Sequence, residues 1–243
     1  MNFPEAKPRT TRRDEVHVWR IALDPPPPCV EGLGLHLTPE ETARANRYLQ
    51  PGDRERFIAG RGWLRSILGR YLGADPARLE IRYGPRGKPE LAGDCSISFN
   101  LAHSRDLGLL AVTEGRQVGI DLEAVRPMPD AGPIATRFFS ASERSTWLAL
   151  PEADRNEAFF RCWTRKEAFL KATGMGLSMP LDQFDVTLGP GAPARLIAVR
   201  EQPDEAGRWV LREIDVGPGF IAALAVEGAG WRPLVFEATD GYS

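Results

Sequence analysis

The sequence predicts an α/β protein of the α+β kind, with helices and strands in both halves of its 243 residues. Three observations predict this class. Residues 15–23 alternate between apolar and polar side chains, as a strand with one buried face does. Thr38, Pro39 and Glu41 have the spacing of a helix N-cap, a first-turn proline and a capping-box acid. Beyond Gly176, short apolar runs alternate with Gly and Pro turns, which is typical of antiparallel strands.

Proline residues mark where the elements of the first half begin and end. Residues 25–28 are four prolines and predict a stiff extended connector. The helix that starts after Thr38 is expected to run to about Leu49. Pro51 begins a second helix that ends near Leu72.

The second helix is predicted to have two faces. Its apolar side chains should be buried, and its basic side chains should form a wet face. These basic residues are Arg54, Arg61 and Arg65. After the helix, strands are predicted over residues 79–83, 96–101 and 107–113, with a turn-rich basic loop at 84–89.

The second half begins with a strand, residues 117–125, that carries two acids. Ser140 and Glu143 have capping-box spacing and predict the start of a helix. Pro151 begins a long helix, and Gly174 ends it with a left-handed residue. The strands that follow are predicted to form one antiparallel meander of residues 183–188, 194–200, 209–216 and 220–226.

Composition excludes several classes of protein. With 42% apolar and 26% charged residues, the chain has the composition of a soluble globular protein. Its net charge of −2 argues against a nucleic-acid binder, and no apolar run is long enough to span a membrane. Residues 1–14 are basic, lack the apolar core of a signal peptide and are expected to be a disordered lead-in. Unpaired spacing of the cysteines, Cys29, Cys95 and Cys162, indicates free thiols and a cytoplasmic location.

The long helix is expected to present one mixed face. Phe159, Trp163, Glu167 and Lys171 recur every four residues and therefore lie on the same side of the helix. The aromatic half of this face should anchor in a core. The charged half should look into a cleft.

Three acids could hold a divalent cation. Asp121 and Glu123 alternate along one predicted strand and so point the same way, and they repel each other unless a cation sits between them. Glu167 would complete an all-oxygen site that suits Mg²⁺, with Mn²⁺ as a substitute. Lys166 and Lys171 would add positive charge beside Glu167, which suits a diphosphate.

Each candidate also has an ordinary structural explanation. Asp121 and Glu123 alone fit a solvated strand face, and Lys171 alone fits a surface ion pair. Glu143 fits a capping-box acid. A lone histidine after a strand, such as His103, is more often structural than functional. Arg61 and Lys88 fit an ordinary helix face and an ordinary turn.

Two stretches taken together resemble a known family. Residues 118–123 read VGIDLE, and about forty residues later residues 163–171 read WTRKEAFLK. The pair resembles the signature of the 4′-phosphopantetheinyl transferases, in the long form named for the surfactin-synthetase activator. The other family motifs follow in the family's order over roughly residues 38–220. They are Pro39-Glu40 with Arg44, then Arg61, Gly87-Lys88-Pro89, and the segments 99–104 and 138–143.

The resemblance implies a fold and a division of the chain. The expected fold is that of the 4′-phosphopantetheinyl transferases, with two similar α/β halves related by a pseudo-twofold axis and the nucleotide between them. The halves would be residues 15–115 and 116–243, and the second would carry the metal site. One departure from the family pattern is Ala102, where the family usually has serine and a hydroxyl near the nucleotide.

The resemblance also implies an activity. A Mg²⁺-dependent enzyme, holo-[carrier protein] synthase, would move 4′-phosphopantetheine from coenzyme A to a serine of an apo carrier protein and release 3′,5′-ADP. The family's metal carboxylates fall on Asp121, Glu123 and Glu167. Glu167, Lys171 and Asp121 are the expected catalytic residues, with Glu167 as the base, directly or through water. The expected contacts to coenzyme A are Arg44, Arg61, Gly87, Lys88, Pro89, His103 and Lys171. A monomer that binds neither nucleic acid nor membrane is the family expectation.

Two other functions stay open on the sequence alone. One is a Mg²⁺-dependent transferase that acts on another diphosphate and needs no group for a 3′-phosphate. The other is a catalytically silent module that binds carrier proteins. If the chain is the transferase, the sequence leaves open whether its carriers serve fatty-acid, polyketide or non-ribosomal peptide synthesis.

Overall fold

A computed structural model describes residues 11–238 of the chain. The first ten residues of the expected lead-in lie outside this range. Residues 11–14 lie inside it, where Thr11 is buried and the carbonyl of Arg13 accepts a hydrogen bond from Arg116. In the described part of the chain, no helix combines the length and the apolar character that crossing a membrane requires.

The first half runs from a strand through three helices to two hairpins. Its elements are β1 (Glu15–Ala22), α1 (Pro27–Gly34), α2 (Pro39–Ala45), α3 (Pro51–Leu72), β2 (Ile81–Tyr83), β3 (Pro89–Leu91), β4 (Ile97–Ser104) and β5 (Leu107–Glu114). A short 3₁₀ turn, Pro76–Arg78, follows α3.

The second half repeats this order. Its elements are β6 (Val118–Ala124), α4 (Ala131–Phe138), α5 (Ala141–Ala149), α6 (Glu152–Thr173), β7 (Phe184–Val186), β8 (Leu196–Val199), a one-turn helix α7 (Glu205–Arg208), β9 (Trp209–Glu213) and β10 (Phe220–Glu227). A last strand, β11 (Arg232–Glu237), ends the described chain. The long helices α3 and α6 have the same length, 22 residues, and each ends at a left-handed glycine, Gly73 or Gly174.

The sheets repeat the same pairing in each half. In the first half β5 lies between β1 and β4, and in the second β10 lies between β6 and β9, with all pairs antiparallel. The expectation of two similar α/β halves is therefore confirmed. The terminal strand β11 breaks the symmetry, because it returns to the first half and pairs parallel to β1.

Four layers build the molecule. The two sheets pack face to face through an apolar cluster that includes Val18, Leu109, Ile120 and Leu224. Helix α3 covers the outer face of the first sheet, and α6 covers the outer face of the second. Alternation along β6 therefore sends Val118, Ile120 and Leu122 to the centre and leaves the acids on the face that α6 covers.

Each half contains a buried cation paired with its capping-box acid. Arg65 donates to Glu41 at 2.6 Å and to the carbonyls of Pro76 and Leu79. This buried position corrects the prediction that Arg65 faces solvent. Carbonyl groups at the turn after α3 supply the acceptors that make its burial tolerable.

The second half uses a lysine in the equivalent place. The Lys166 ammonium lies 2.8 Å from the Glu143 carboxylate and donates to the carbonyls of Leu181 and Phe184. Lys166 is fully buried, so the prediction that it adds charge beside Glu167 is wrong. Glu143 is the capping-box acid of α5, as its ordinary explanation held.

Three element predictions also need correction. Pro27 is the first residue of α1, because proline fits the first helical turn, so the proline run is not wholly extended. Helix α2 ends at Ala45 and not near Leu49. The last strands do not form one meander: β7 pairs with β8, while β10 pairs with β6 as well as with β9.

The contact between β6 and α6 depends on Gly119. A Cβ atom at this position would lie 2.2 Å from the carbonyl oxygen of Ala168 and 2.2 Å from the amide nitrogen of Ala172. These are backbone atoms of α6, so no side-chain movement could relieve the overlap. Glycine therefore allows α6 to lie directly on the strand that carries Asp121 and Glu123.

Substitution of Gly119 by alanine should push α6 away from β6. We expect Gly119→Ala to lower the free energy of unfolding by about 3 kcal/mol or more, because the added methyl group meets backbone on both sides. Urea unfolding followed by circular dichroism measures this change. Gly132→Ala is the matched control: a Cβ there meets nothing within 4 Å, so it should be neutral or stabilising by up to about 1 kcal/mol. Equal effects of the two substitutions would contradict the close contact.

Candidate active site

A cleft runs between the two halves and widens into two adjoining cavities. Pro89 and Leu101 line both cavities, which makes the cleft continuous. The first cavity, of about 290 Å³, is lined by Glu167 and Lys171 together with the loop of Gly87 and Lys88. The second, of about 410 Å³, is lined by residues of the first half, among them Arg44, Arg61 and His103.

The predicted face of α6 has the orientation that the sequence indicated. Phe159 is buried and Trp163 packs against the same apolar cluster. Further along the helix, Glu167 and Lys171 line the first cavity. The aromatic half of the face thus anchors the helix, and the charged half lies in the cleft.

Asp121 is the most deeply buried acid of the site. The residue is 6% exposed, and the Lys171 ammonium donates to Oδ1 at 2.6 Å. The second oxygen, Oδ2, is buried and has no hydrogen-bond partner among the described residues. An unpaired buried carboxylate oxygen is costly, and a bound cation is one kind of partner that would satisfy this atom.

Burial and mutual repulsion disfavour the charged forms of the acids. Burial raises the pKa of Asp121 to about 7; Lys171 opposes the rise, while Glu167 and Glu123 add to it. Burial also raises the pKa of Glu167, with Lys171 opposing and Glu123 adding. Glu123 therefore lies close enough to Asp121 and Glu167 to disfavour their charged forms, and a cation among the carboxylates would relieve that repulsion.

Glu123 is held by residues of two elements. Ser104, at the end of β4, donates from Oγ to Glu123 Oε2 at 3.3 Å and accepts from the Ala124 amide at 3.0 Å. Arg126 lies 3.6 Å from the same carboxylate oxygen. The first half thus orients an acid of the second half.

The three acids have the chemistry that a hard divalent cation prefers, but their side chains do not converge on a common point. Asp121, Glu123 and Glu167 offer only carboxylate oxygens, which suit Mg²⁺ or Mn²⁺. In residues 11–238, no three side chains of His, Cys, Asp or Glu converge closely enough to hold a metal. In this conformation Lys171 occupies one oxygen of Asp121.

Lys88 joins the two halves across the cleft. Its ammonium donates to Gln117 Oε1 at 3.1 Å, to the carbonyl of Val118 at 3.2 Å and to the carbonyl of Ala172 at 2.9 Å. Burial lowers the pKa of Lys88 to about 8. Three acceptors use all the donors of an ammonium group, so Lys88 lines the cavity while its charge is committed to the protein.

The second cavity collects cationic side chains. Arg61 is held by Glu41 at 2.9 Å and donates to the Tyr83 hydroxyl at 2.6 Å. Arg44 lies over the ring of Phe57, 5.2 Å from its centroid. Burial lowers the pKa of His103, and the Lys171 charge lowers it further, so this imidazole is neutral near pH 7.

Ala102 lies away from the cationic residues of both cavities. Its side chain belongs to the apolar cluster between the sheets, with Val118 and Ile120. Alternation along β4 puts His103 on the opposite face, toward the second cavity. A serine at position 102 would place its hydroxyl in this apolar cluster.

Sequence reasoning missed three contributors to the cleft. Asn100 accepts from the Ile120 amide at 2.8 Å, and with Ser104 it fastens β4 to the open edge of β6. Both residues lie inside the motif at residues 99–104. Side chains alternate between the two faces of a strand, so the sequence already indicated that Asn100 and Ser104 point away from the face of His103. Arg105, in the turn after β4, also lines the second cavity.

Two protein-family models match different parts of the chain. A family model described as the 4′-phosphopantetheinyl transferase superfamily matches residues 117–225. A second model, described as the N-terminal part of 4′-phosphopantetheinyl transferase, matches residues 26–115.

Curated relatives are similar over most of their length. The chain is 44% identical to the 4′-phosphopantetheinyl transferase HetI of Nostoc sp. over 234 residues, which cover 95% of each protein. It is 29% identical to the 4′-phosphopantetheinyl transferase Sfp of Bacillus subtilis, over 77% of this chain and 81% of the relative. Among solved structures, the ACPS–CoA complex of Chronobacterium ammoniagenes matches at 20% identity with a TM-score of 0.36, over 46% of this chain and 96% of the other.

Replacement of Lys88 tests its role as a link between the halves. Lys88→Met should lower the free energy of unfolding by about 1–3 kcal/mol, because it leaves the carbonyls of Val118 and Ala172 without their donor. Thermal and urea unfolding measure the loss. Arg86→Met, in the same loop but exposed, should change stability by less than about 0.5 kcal/mol. Wild-type stability of Lys88→Met, together with weaker ligand binding, would assign Lys88 to the ligand instead.

Proposed function

The chain belongs to the 4′-phosphopantetheinyl transferase family, and we propose that its cleft is where 4′-phosphopantetheine passes from coenzyme A to a carrier-protein serine. One observation carries the assignment of the site. The buried Asp121 carboxylate, with one oxygen that has no partner among the described residues, lies near Glu123 and Glu167 and pairs with Lys171, which lines the first cavity together with Glu167.

Asp121, Glu123 and Glu167 would hold Mg²⁺, with Mn²⁺ as a substitute. Their oxygen-only donor set and the orphaned Oδ2 of Asp121 support this role. When bound, the cation neutralises the diphosphate of coenzyme A and keeps it in line for attack.

The side chains around the acids supply the remaining chemistry. Lys171 leaves Asp121 for the substrate and stabilises charge that develops on the departing 3′,5′-ADP. Glu167 accepts the proton of the serine hydroxyl, directly or through water, as that oxygen attacks the β-phosphorus. Both residues line the same cavity and lie one helical turn apart on α6.

The second cavity would receive the nucleotide end of coenzyme A. Arg44, Arg61 and His103 line it and would bind the 3′-phosphate, which an ordinary ADP derivative lacks. Gly87, Lys88 and Pro89 belong to the loop that lines the first cavity. Lys88 serves there chiefly by holding the two halves together.

We further propose that the chain acts in the cytoplasm as a monomer and divides between residues 115 and 116. Apo carrier proteins are the partners that the activity requires, and the fatty-acid, polyketide or non-ribosomal peptide pathway is a matter for assay. A silent binding module is disfavoured because the three acids and Lys171 are all present. A transferase for another diphosphate would have no use for the cationic second cavity.

Removal of either buried acid should stop transfer. With apo carrier proteins, coenzyme A and Mg²⁺, intact-protein mass spectrometry should show one added phosphopantetheine for the wild type and none with EDTA. Asp121→Asn and Glu167→Gln should lose about 100-fold or more in rate, since each removes a charged ligand from the diphosphate site.

Glu157→Gln is the matched control for this experiment. Glu157 lies on the exposed side of the same helix, paired with Arg161, and its replacement should leave the rate within about twofold of wild type. Near-normal transfer by Asp121→Asn or Glu167→Gln at limiting Mg²⁺ would reject the metal site.

Replacement of His103 should weaken coenzyme A binding more than it slows the chemistry. His103→Ala removes a neutral donor from the second cavity, so the KM for coenzyme A should rise about tenfold while kcat changes less. Steady-state kinetics at saturating carrier protein separates the two constants. A KM equal to that of the wild type would remove His103 from the binding site.

A further inference from the structure

Arg105 adopts a backbone conformation that normally requires glycine. It is the first residue of the two-residue turn between β4 and β5, with a φ angle of 54°. Among the described residues it is the only one other than glycine with positive φ. A hairpin turn with positive φ at the first position alone usually has glycine there. An arginine in this place is strained by its Cβ atom. Residues held in strained backbone conformations are often functional, so we expect the side chain of Arg105 to have a function.

The backbone of the turn that carries Arg105 is fastened on both sides. The amide of Leu23 donates to the carbonyl of Asp106 at 2.8 Å, which fastens the turn to the end of β1. Ser104, directly before Arg105, is fastened to β6 through its hydroxyl. Arg105 lies in the wall of the second cavity together with His103.

The guanidinium of Arg105 is uncommitted within the described chain. Arg56 and Arg61 line the same cavity, but Arg56 pairs with Asp24 at 2.8 Å and Arg61 with Glu41 at 2.9 Å. For residues 11–238, no carboxylate lies within ion-pair distance of Arg105 or Arg44. Two unpaired arginines therefore face one cavity beside a neutral histidine.

We propose that Arg105 is a specificity-determining residue that binds the 3′-phosphate of coenzyme A, and that its strained turn is kept for this contact. The proposal rests on the proposed function, which puts the diphosphate at the acids and leaves the other phosphate for the second cavity. A dianionic phosphate monoester matches the planar fork of a guanidinium. Arg105 thereby helps distinguish coenzyme A from its dephosphorylated form.

Two variants separate the contact from the strain. Arg105→Gln removes the charge and keeps the strained Cβ atom, and Arg105→Gly removes both. Calorimetric titration with 3′,5′-ADP and with 5′-AMP compares ligands that differ by the 3′-phosphate alone. Both variants should bind 3′,5′-ADP about tenfold more weakly and 5′-AMP within about twofold of wild type. Arg105→Gly alone should raise the melting temperature, by about 2–4 °C.

Arg78→Gln is the charge-matched control. Arg78 is exposed on the turn after α3 and pairs only with Asp75, so its loss should leave the affinity for 3′,5′-ADP unchanged. Wild-type affinity of both Arg105 variants for 3′,5′-ADP would overturn the proposal and leave the proposed function standing. An equal loss for both ligands would also overturn it, since Arg105 would then shape the cavity without reading the phosphate. Wild-type protein that binds 3′,5′-ADP no better than 5′-AMP would reject the placement of the nucleotide itself.

Discussion

The close contact of α6 with β6 at Gly119 is the constraint on which the site depends. Backbone of the helix lies where any Cβ atom at position 119 would be, so the strand and the helix meet without intervening side chains. This contact brings Glu167 and Lys171, on the helix, beside Asp121 and Glu123, on the strand. Burial raises the pKa of Asp121 and of Glu167, and the nearby Glu123 carboxylate raises both further. Lys171, which donates to Asp121, offsets part of that repulsion.

Symmetry of the two halves shows how one fold has taken two tasks. Both halves contain a long helix over a sheet and a buried cation on a capping-box acid, Arg65 on Glu41 and Lys166 on Glu143. When the ends of the paired strands and helices are aligned, Trp19 and Ser66 occupy the positions of Asp121 and Glu167. The first half therefore has no acid pair and supplies a cationic cavity, while the second half supplies the carboxylates. Hydrogen bonds join the two halves: they run from the side chains of Lys88, Asn100 and Ser104 in the first half to backbone groups of the second.

Local sequence patterns correctly predicted the features that depend on neighbouring residues alone, such as the ends of the long helices. Proline and glycine marked the ends of the long helices, capping boxes marked α2 and α5, and the four-residue spacing on α6 indicated its mixed face. Partners distant in sequence decided the rest. Burial of Arg65 and Lys166 depends on carbonyls supplied by later turns, and the return of β11 to β1 depends on pairing between the chain's two ends. Orientation of Glu123 by Ser104 likewise joins two halves that no local pattern relates.

We propose that a cation and Lys171 exchange places at Asp121, so that the diphosphate of coenzyme A contacts both the cation and the lysine. A crystal structure of the protein with Mn²⁺ and coenzyme A, with anomalous scattering to locate manganese, tests it most directly. We predict a manganese peak at coordination distance from Asp121 and Glu167, with the Lys171 ammonium moved from Asp121 to a phosphate oxygen. Manganese bound away from these acids, or Lys171 still paired with Asp121 while the diphosphate is in place, would contradict it.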